Sequence, residues 1–162
     1  MKFISKNWQK INTDLVCFGS RGNQYGSFSI TKSGLLKTMK LVHKSGSIKC
    51  NSNDPASYWG CRYAPRYGTN GLMTIITNAK GKVTLPSAGE LKAHNGCNKK
   101  QHFYSINETH HTSPELVYRD LPNLLPVSRD QEFQIWYGQD WIHCSEDDNN
   151  GTTCADVYAW YA

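Results

Sequence analysis

Glu132-Phe133-Gln134-Ile135-Trp136-Tyr137 and Asp156-Val157-Tyr158-Ala159-Trp160-Tyr161 are read as two strands. In the first, Phe133, Ile135 and Tyr137 share a face; in the second, Val157, Ala159 and Tyr161 do. That period of two belongs to a half-buried strand. Between them runs Gly138-Gln139-Asp140-Trp141-Ile142-His143-Cys144-Ser145-Glu146-Asp147-Asp148-Asn149-Asn150-Gly151-Thr152-Thr153-Cys154-Ala155. An acidic loop held at both ends by strands points to a β-fold.

The rest of the chain agrees. Residues 25–30 and 35–43 flank Lys32-Ser33-Gly34 and are expected to form a hairpin. A second hairpin is expected from residues 72–77 and 83–85 around Asn78-Ala79-Lys80-Gly81, ended by Pro86, which cannot donate to a ladder. Residues 87–94 suit a short helix, with Ser87 as N-cap, Glu90 at the capping-box position and Asn95-Gly96 closing it. Residues 113–130 contain three Pro and read as loop with one helical turn. Gly, Ser and Asn supply 40 of 162 residues, and aromatics 12%, with five Trp and nine Tyr. Many turns and large flat side chains favour sheet over helix bundle. The expected class is mainly β: a single compact, antiparallel-β-rich domain over residues 1–162, with a few short helices and disulfide stabilisation. No apolar run approaches the ~20 residues of a membrane-spanning helix. G-x-x-x-x-G-K-[ST], H-E-x-x-H and G-x-S-x-G are all absent, which disfavours the common sequence-readable enzymes.

The formal charge of +5 is unevenly spread. All 18 basic residues and 6 of 13 acids lie at or before Arg129; the other 7 acids follow it with no Lys or Arg among them. The basic residues are scattered and lack the Arg–aromatic interleaving of an RNA module, so they read as solvated surface, with neither nucleic-acid binding nor membrane insertion. The acids are informative, because crowded carboxylates repel unless a cation neutralises them.

Six Cys stand at 17, 50, 61, 97, 144 and 154, without a C-x-x-C. Zinc ribbons and thioredoxin-like motifs are therefore disfavoured, and the even count reads as disulfides of a secreted protein. Fifteen pairings are open; proximity favours Cys50–Cys61 and Cys144–Cys154, leaving Cys17–Cys97. Lys2, Lys6 and Lys10 interrupt any apolar leader, so secretion would make this a mature chain.

From Glu146 the spacing is acid-x-Asp-x-Asn-Gly, the start of a calcium-loop pattern with Glu in place of the first Asp. Calcium takes 6–8 oxygen ligands at roughly 2.3–2.6 Å, and alternate side chains on a tightly curled loop supply them. Position twelve of the pattern is Val157 rather than Glu, so a helix-loop-helix hand is excluded. Asp140 and Asp156 are expected to add carboxylates from the strand ends, and a Cys144–Cys154 bridge would close the loop in advance. Tyr137, Trp141 and His143 stand in or beside it. An aromatic face beside a hard cation suits a sugar, whose vicinal hydroxyls replace metal-bound water while its C–H face packs on a ring.

Ser57-Tyr58-Trp59-Gly60-Cys61, Ile135-Trp136-Tyr137-Gly138-Gln139-Asp140 and residues 146–159 resemble a family of secreted cnidarian proteins. Its characterised member is a galactose-specific, calcium-containing, homodimeric sea-anemone lectin. The resemblance is sharpest after residue 132, with weaker echoes such as Leu41-Val42-His43-Lys44-Ser45-Gly46 upstream, and is close enough for the chain to be that lectin or a relative. It implies calcium held by Asp140, Glu146, Asp148 and Asp156, and galactose-terminated glycans contacted by Gln139, Trp141, His143 and Asp147. Gln139 stands where the family pattern has Glu, losing a charge but keeping an oxygen. The implied partner set is a homodimer and terminal galactose, with no covalent chemistry.

Two rivals are a calcium-dependent glycosidase, with Asp140 and Asp148 as paired acids, and a membrane-active toxin using the basic body. His102, His110 and His111 lie near Glu108 as a candidate zinc set. Adjacent His residues on a strand face opposite ways, so only one of His110 and His111 would join, and all three are expected to be ordinary surface residues. Asn107 and Asn150 head glycosylation sequons; a glycan on Asn150 is incompatible with a metal loop there.

Overall fold

The computed structural model describes residues 8–162 except 63–66, 68, 69, 94, 98 and 145. The N-terminal Lys2 and Lys6 and the expected helix end at His94 fall outside these residues. In chain order the elements are β1 (Trp8–Lys10), β2 (Val16–Gly19), β3 (Gly26–Ser29), β4 (Gly34–Lys49), β5 (Gly60–Cys61), β6 (Gly71–Leu72), β7 (Thr74–Asn78) and β8 (Val83–Leu85). Two single 3-10 turns follow, Ala88–Glu90 and Asn95–Cys97, then β9 (Glu115–Val117), β10 (Leu125–Val127), β11 (Glu132–Tyr137), the one-turn helix α1 (Gly138–Trp141) and β12 (Asn150–Tyr161).

The fold is mainly β and antiparallel, as the alternation predicts. The long strands β4 and β12 pair along their length. β1 and β2 extend the sheet on the β12 side, β9 and β10 on the β4 side. A second sheet runs β3-β11-β7-β8, and β5 pairs with β6 alone. Phe133, Ile135 and Tyr137 from one sheet and Val157, Ala159 and Tyr161 from the other enter a common core with Leu36, Met39, Leu41, Ile75 and Ile76. Both sequence-read faces are therefore the buried ones.

The β7–β8 hairpin forms where expected. The other hairpin does not. β3 pairs with β11 and β4 with β12, so the chain crosses between sheets over residues 30–33 instead of folding back. The alternation of Gly26, Phe28 and Ile30 fixes which side of β3 is buried, but not which strand it pairs with. Residues 113–130 hold two short edge strands and no helix. Pro126 is accommodated in β10 because an edge strand has N–H positions that need no partner. The expected helix shrinks to the turn Ala88–Glu90, with the Ser87 hydroxyl 3.0 Å from a Glu90 carboxylate oxygen rather than capping a backbone N–H. Asn95 and Gly96 begin the second turn instead of ending the first.

Three disulfides form: Cys50–Cys61 as expected, and Cys17–Cys154 and Cys97–Cys144 in place of Cys144–Cys154 and Cys17–Cys97. Register explains the correction. Cys154 lies on β12 directly opposite Cys17 on β2. Cys144 follows α1 and lies 5.7 Å, Cα to Cα, from Cys97 in the turn Asn95–Cys97. Gly151, at φ +95°, lets β12 pass β4 closely; a Cβ there would sit 2.2 Å from the Ser47 carbonyl oxygen.

Candidate functional site

The acidic loop begins where β11 ends. The Gly138 N–H donates to the Met73 carbonyl at 2.7 Å, and a Cβ at this position would lie 2.1 Å from the His102 carbonyl oxygen. Only glycine can start α1 so close to the backbone. The turn then points Asp140 inward. Its Oδ1 accepts from the Asn23 N–H at 2.8 Å and its Oδ2 from the Gln24 N–H at 3.0 Å. Glu146 Oε1 accepts from the Gly22 N–H at 3.1 Å. Gly22 and Asn23 are both left-handed, at φ +73° and +60°, and that turn presents its successive N–H groups to the two acids. Ser20, Arg21 and Asn149 complete the clamp: Asn149 Nδ2 donates to the Ser20 carbonyl at 3.0 Å, and Arg21 to the Asp147 carbonyl at 2.8 Å.

Asp140, His143 and Glu146 bring one ligand atom each to within 4.8 Å of one another. His143, exposed and left-handed at φ +53°, holds its Nδ1 3.3 Å from Glu146 Oε2. Burial lifts the Asp140 carboxyl to a pKa of about 6, and the neighbouring Glu146 pushes the same way, against the two peptide N–H donors that favour the charged form. A cation shared by Asp140 and Glu146 would relieve that crowding. The donor set fits a hard divalent ion at these two residues: both are carboxylates, and on the same loop the buried Asn149 Oδ1 has no hydrogen-bond partner among the described residues. An imidazole nitrogen is foreign to such an ion, which leaves His143 beside Glu146 on the solvent side rather than as a ligand.

The other expected residues are placed differently. Gln139 is buried at 3% exposure, its Oε1 accepting from Asn149 at 2.8 Å and its Nε2 donating to the Tyr67 hydroxyl at 3.1 Å. Asp147 and Asp148 are exposed in the turn beyond Glu146. Of the glycosidase pair, Asp140 is therefore buried beneath peptide donors and Asp148 is open to solvent. Asp156 lies on β12, six residues beyond Asn150, or ~20 Å of strand. Its neighbours are Asn12, donating at 2.8 Å, and Lys10 and Lys44 at 3.6 and 4.0 Å. The structure does not bring it to the Asp140–Glu146 group. The acid-x-Asp-x-Asn-Gly spacing does not curl around one centre either, because Asn150 and Gly151 are already paired in β12.

Trp141 is half-buried, with its indole N–H donating to the Gly81 carbonyl at 2.9 Å, so the β7–β8 turn fixes the ring. Tyr25 stacks on Trp136 with ring centroids 4.8 Å apart, an aromatic pair not singled out from sequence. The sequence reading also passed over the 20–24 turn and Asn149. The Gly22-Asn23 dipeptide is a turn signal that marks the segment, but nothing local says which loop it would face.

His102 and His111 are buried at 0% and 8% exposure, contrary to the surface reading. His110 and His111 sit in a turn rather than a strand, so both rings reach one cavity, and the four residues of the candidate zinc set form no metal-ligand group among the described residues.

No known family profile matches the chain, and no curated protein matches it in sequence. A solved structure does. AJLec from the sea anemone Anthopleura japonica matches with a TM-score of 0.84 and 34% identity, over 96% of this chain and 97% of that one. This chain belongs to the family of that sea-anemone lectin. At 34% identity it is a relative of AJLec and not AJLec itself.

Proposed function

We propose that this chain is a secreted, non-catalytic lectin that binds galactose-terminated glycans with calcium held by Asp140 and Glu146. The observation that carries the reading is the convergence of Asp140, Glu146 and His143 on one side of a loop that the 20–24 turn clamps, in a relative of a sea-anemone lectin. When bound, calcium would supply a hard Lewis-acid centre for sugar hydroxyls.

The chain's own residues supply the rest. The N–H groups of Gly22, Asn23 and Gln24 hold the two carboxylates in place, so little rotamer freedom remains to be lost on binding. Gln139 and Asn149 support the loop from beneath, Gln139 through a hydrogen-bond chain to Tyr67 and His102. His143, Asp147 and Asp148 present polar groups to solvent. Part of the Trp141 ring is left to take the apolar face of a pyranose. Three disulfides suit an oxidising, extracellular setting. One such loop per chain gives one site, and clustering cell-surface glycans takes two, which a homodimer provides.

A glycan array run with calcium and after its removal tests the reading. Retention of β-galactosides only with calcium supports it. Retention of no glycan, or of galactosides equally without calcium, contradicts it.

A further inference from the structure

A polar cavity of about 350 Å³, which shares no lining residue with the acidic loop, is lined by Arg62, Asn70, His110, His111 and Thr112. Its chemistry is the reverse of the loop's. Among the described residues no carboxylate lines it, and Arg62 has neither an ion-pair nor a hydrogen-bond partner. His111 is more than nine-tenths buried, yet its Nδ1 has no hydrogen-bond partner among the described residues. Buried polar atoms in folded proteins are nearly always hydrogen-bonded, so an orphan lining a cavity marks a place for a ligand atom.

The backbone around it is fixed. The His111 carbonyl accepts from the N–H groups of Tyr58 and Trp59 at 2.9 and 3.0 Å and from the Ser57 hydroxyl at 3.0 Å. His110 Nδ1 lies 2.9 Å from Asn70 Oδ1. That bond uses the acceptor end of the Asn70 amide and leaves its NH2 end available. The lining therefore offers a guanidinium, an amide NH2, a hydroxyl and the His111 imidazole as donors, with the His110 N–H already committed to Asn70. Burial, with Arg62 and His110 acting in the same direction and Asp54 opposing, lowers the pKa of His111 and so favours the neutral ring, which can donate from Nδ1 in one tautomer. A metal cation would meet the Arg62 charge with no anionic ligand to offset it. An oxyanion meets complementary charge and the forked geometry that guanidinium groups match.

We propose that Arg62, Asn70, His110, His111 and Thr112 form a binding site for an oxyanion, either the carboxylate of an acidic sugar or a free inorganic anion. The volume is at the lower end of small-ligand pockets and is enough for one pyranose ring. The site is independent of calcium and of the galactose reading.

The test is an NMR titration of the imidazole resonances with three probes at constant ionic strength: methyl β-D-glucuronide, methyl β-D-glucoside and sodium sulfate. The expected result is a saturable shift of His110 and His111 with the glucuronide and none with the glucoside. If the glucuronide binds at least tenfold more tightly than sulfate, the source is an acidic sugar; if the two bind alike, it is a free anion. Arg62→Gln, at an exposed position, should weaken binding at least tenfold while leaving the spectrum folded, and Arg62→Lys should restore part of it. No saturable shift with either anion, an equal response to the neutral glucoside, or unchanged affinity in Arg62→Gln would overturn the proposal.

Discussion

Replacing Asp140 by Asn keeps its size and removes the charge on which the loop is built. The Asn23 and Gln24 N–H groups would lose a charged acceptor, and one of them would face an amide NH2. The expected cost is about 1–3 kcal/mol in stability, together with at least a tenfold loss in calcium affinity. Thermal melting and calcium titration calorimetry on the same sample measure both. Trp141→Ala should separate sugar from metal. Lost apolar contact should weaken lactose by about 1–3 kcal/mol and leave calcium affinity within about twofold. An equal loss in both titrations would place Trp141 in support of the metal loop rather than against the sugar. Asp140 was legible as a loop acid because of its company. Its true partners, the peptide N–H groups of the 20–24 turn, lie more than a hundred residues away and leave no local trace.

At the scale of elements, the strands with clean alternation were readable and their pairing was not. β11 begins and ends where Glu132-Phe133-Gln134-Ile135-Trp136-Tyr137 predicts, and the β7–β8 hairpin follows from its turn residues. The failures share a cause. Burial pattern specifies a face, whereas the choice between strand partners and between cysteines depends on contacts distant in sequence. β3 thus joined β11, and Cys144 joined Cys97 instead of its near neighbour Cys154. The Cys97–Cys144 bridge ties the acidic loop to the turn Asn95–Cys97 across 47 residues. Chain-entropy arithmetic gives a loop of that size about 4 kcal/mol. The double variant Cys97→Ser/Cys144→Ser should therefore melt lower and bind lactose more weakly, with its far-UV circular dichroism preserved because the sheets do not depend on that bridge. Lactose affinity unchanged in that variant would show that the bridge has no part in ordering the site.

For the whole molecule, the account predicts linkage between metal and fold. A ligand that binds only the folded chain stabilises it by mass action, by ~2.7 kcal/mol at a hundredfold excess over Kd. For a chain of this length that is a shift of roughly 5–10 °C in Tm. Removing calcium by chelation and dialysis should lower Tm by that order, and adding it back should restore it. Light scattering should give twice the chain mass of 18.3 kDa at working concentration; a strict monomer would leave the chain one sugar site and no means of cross-linking glycans.

Calcium as the sugar's anchor is the central claim, and lactose calorimetry on calcium-loaded and calcium-depleted protein tests it most directly. The account predicts binding to the loaded protein, heat no larger than dilution for the depleted one, and recovery when calcium is restored. Lactose binding of equal affinity in the folded, calcium-free protein would contradict it.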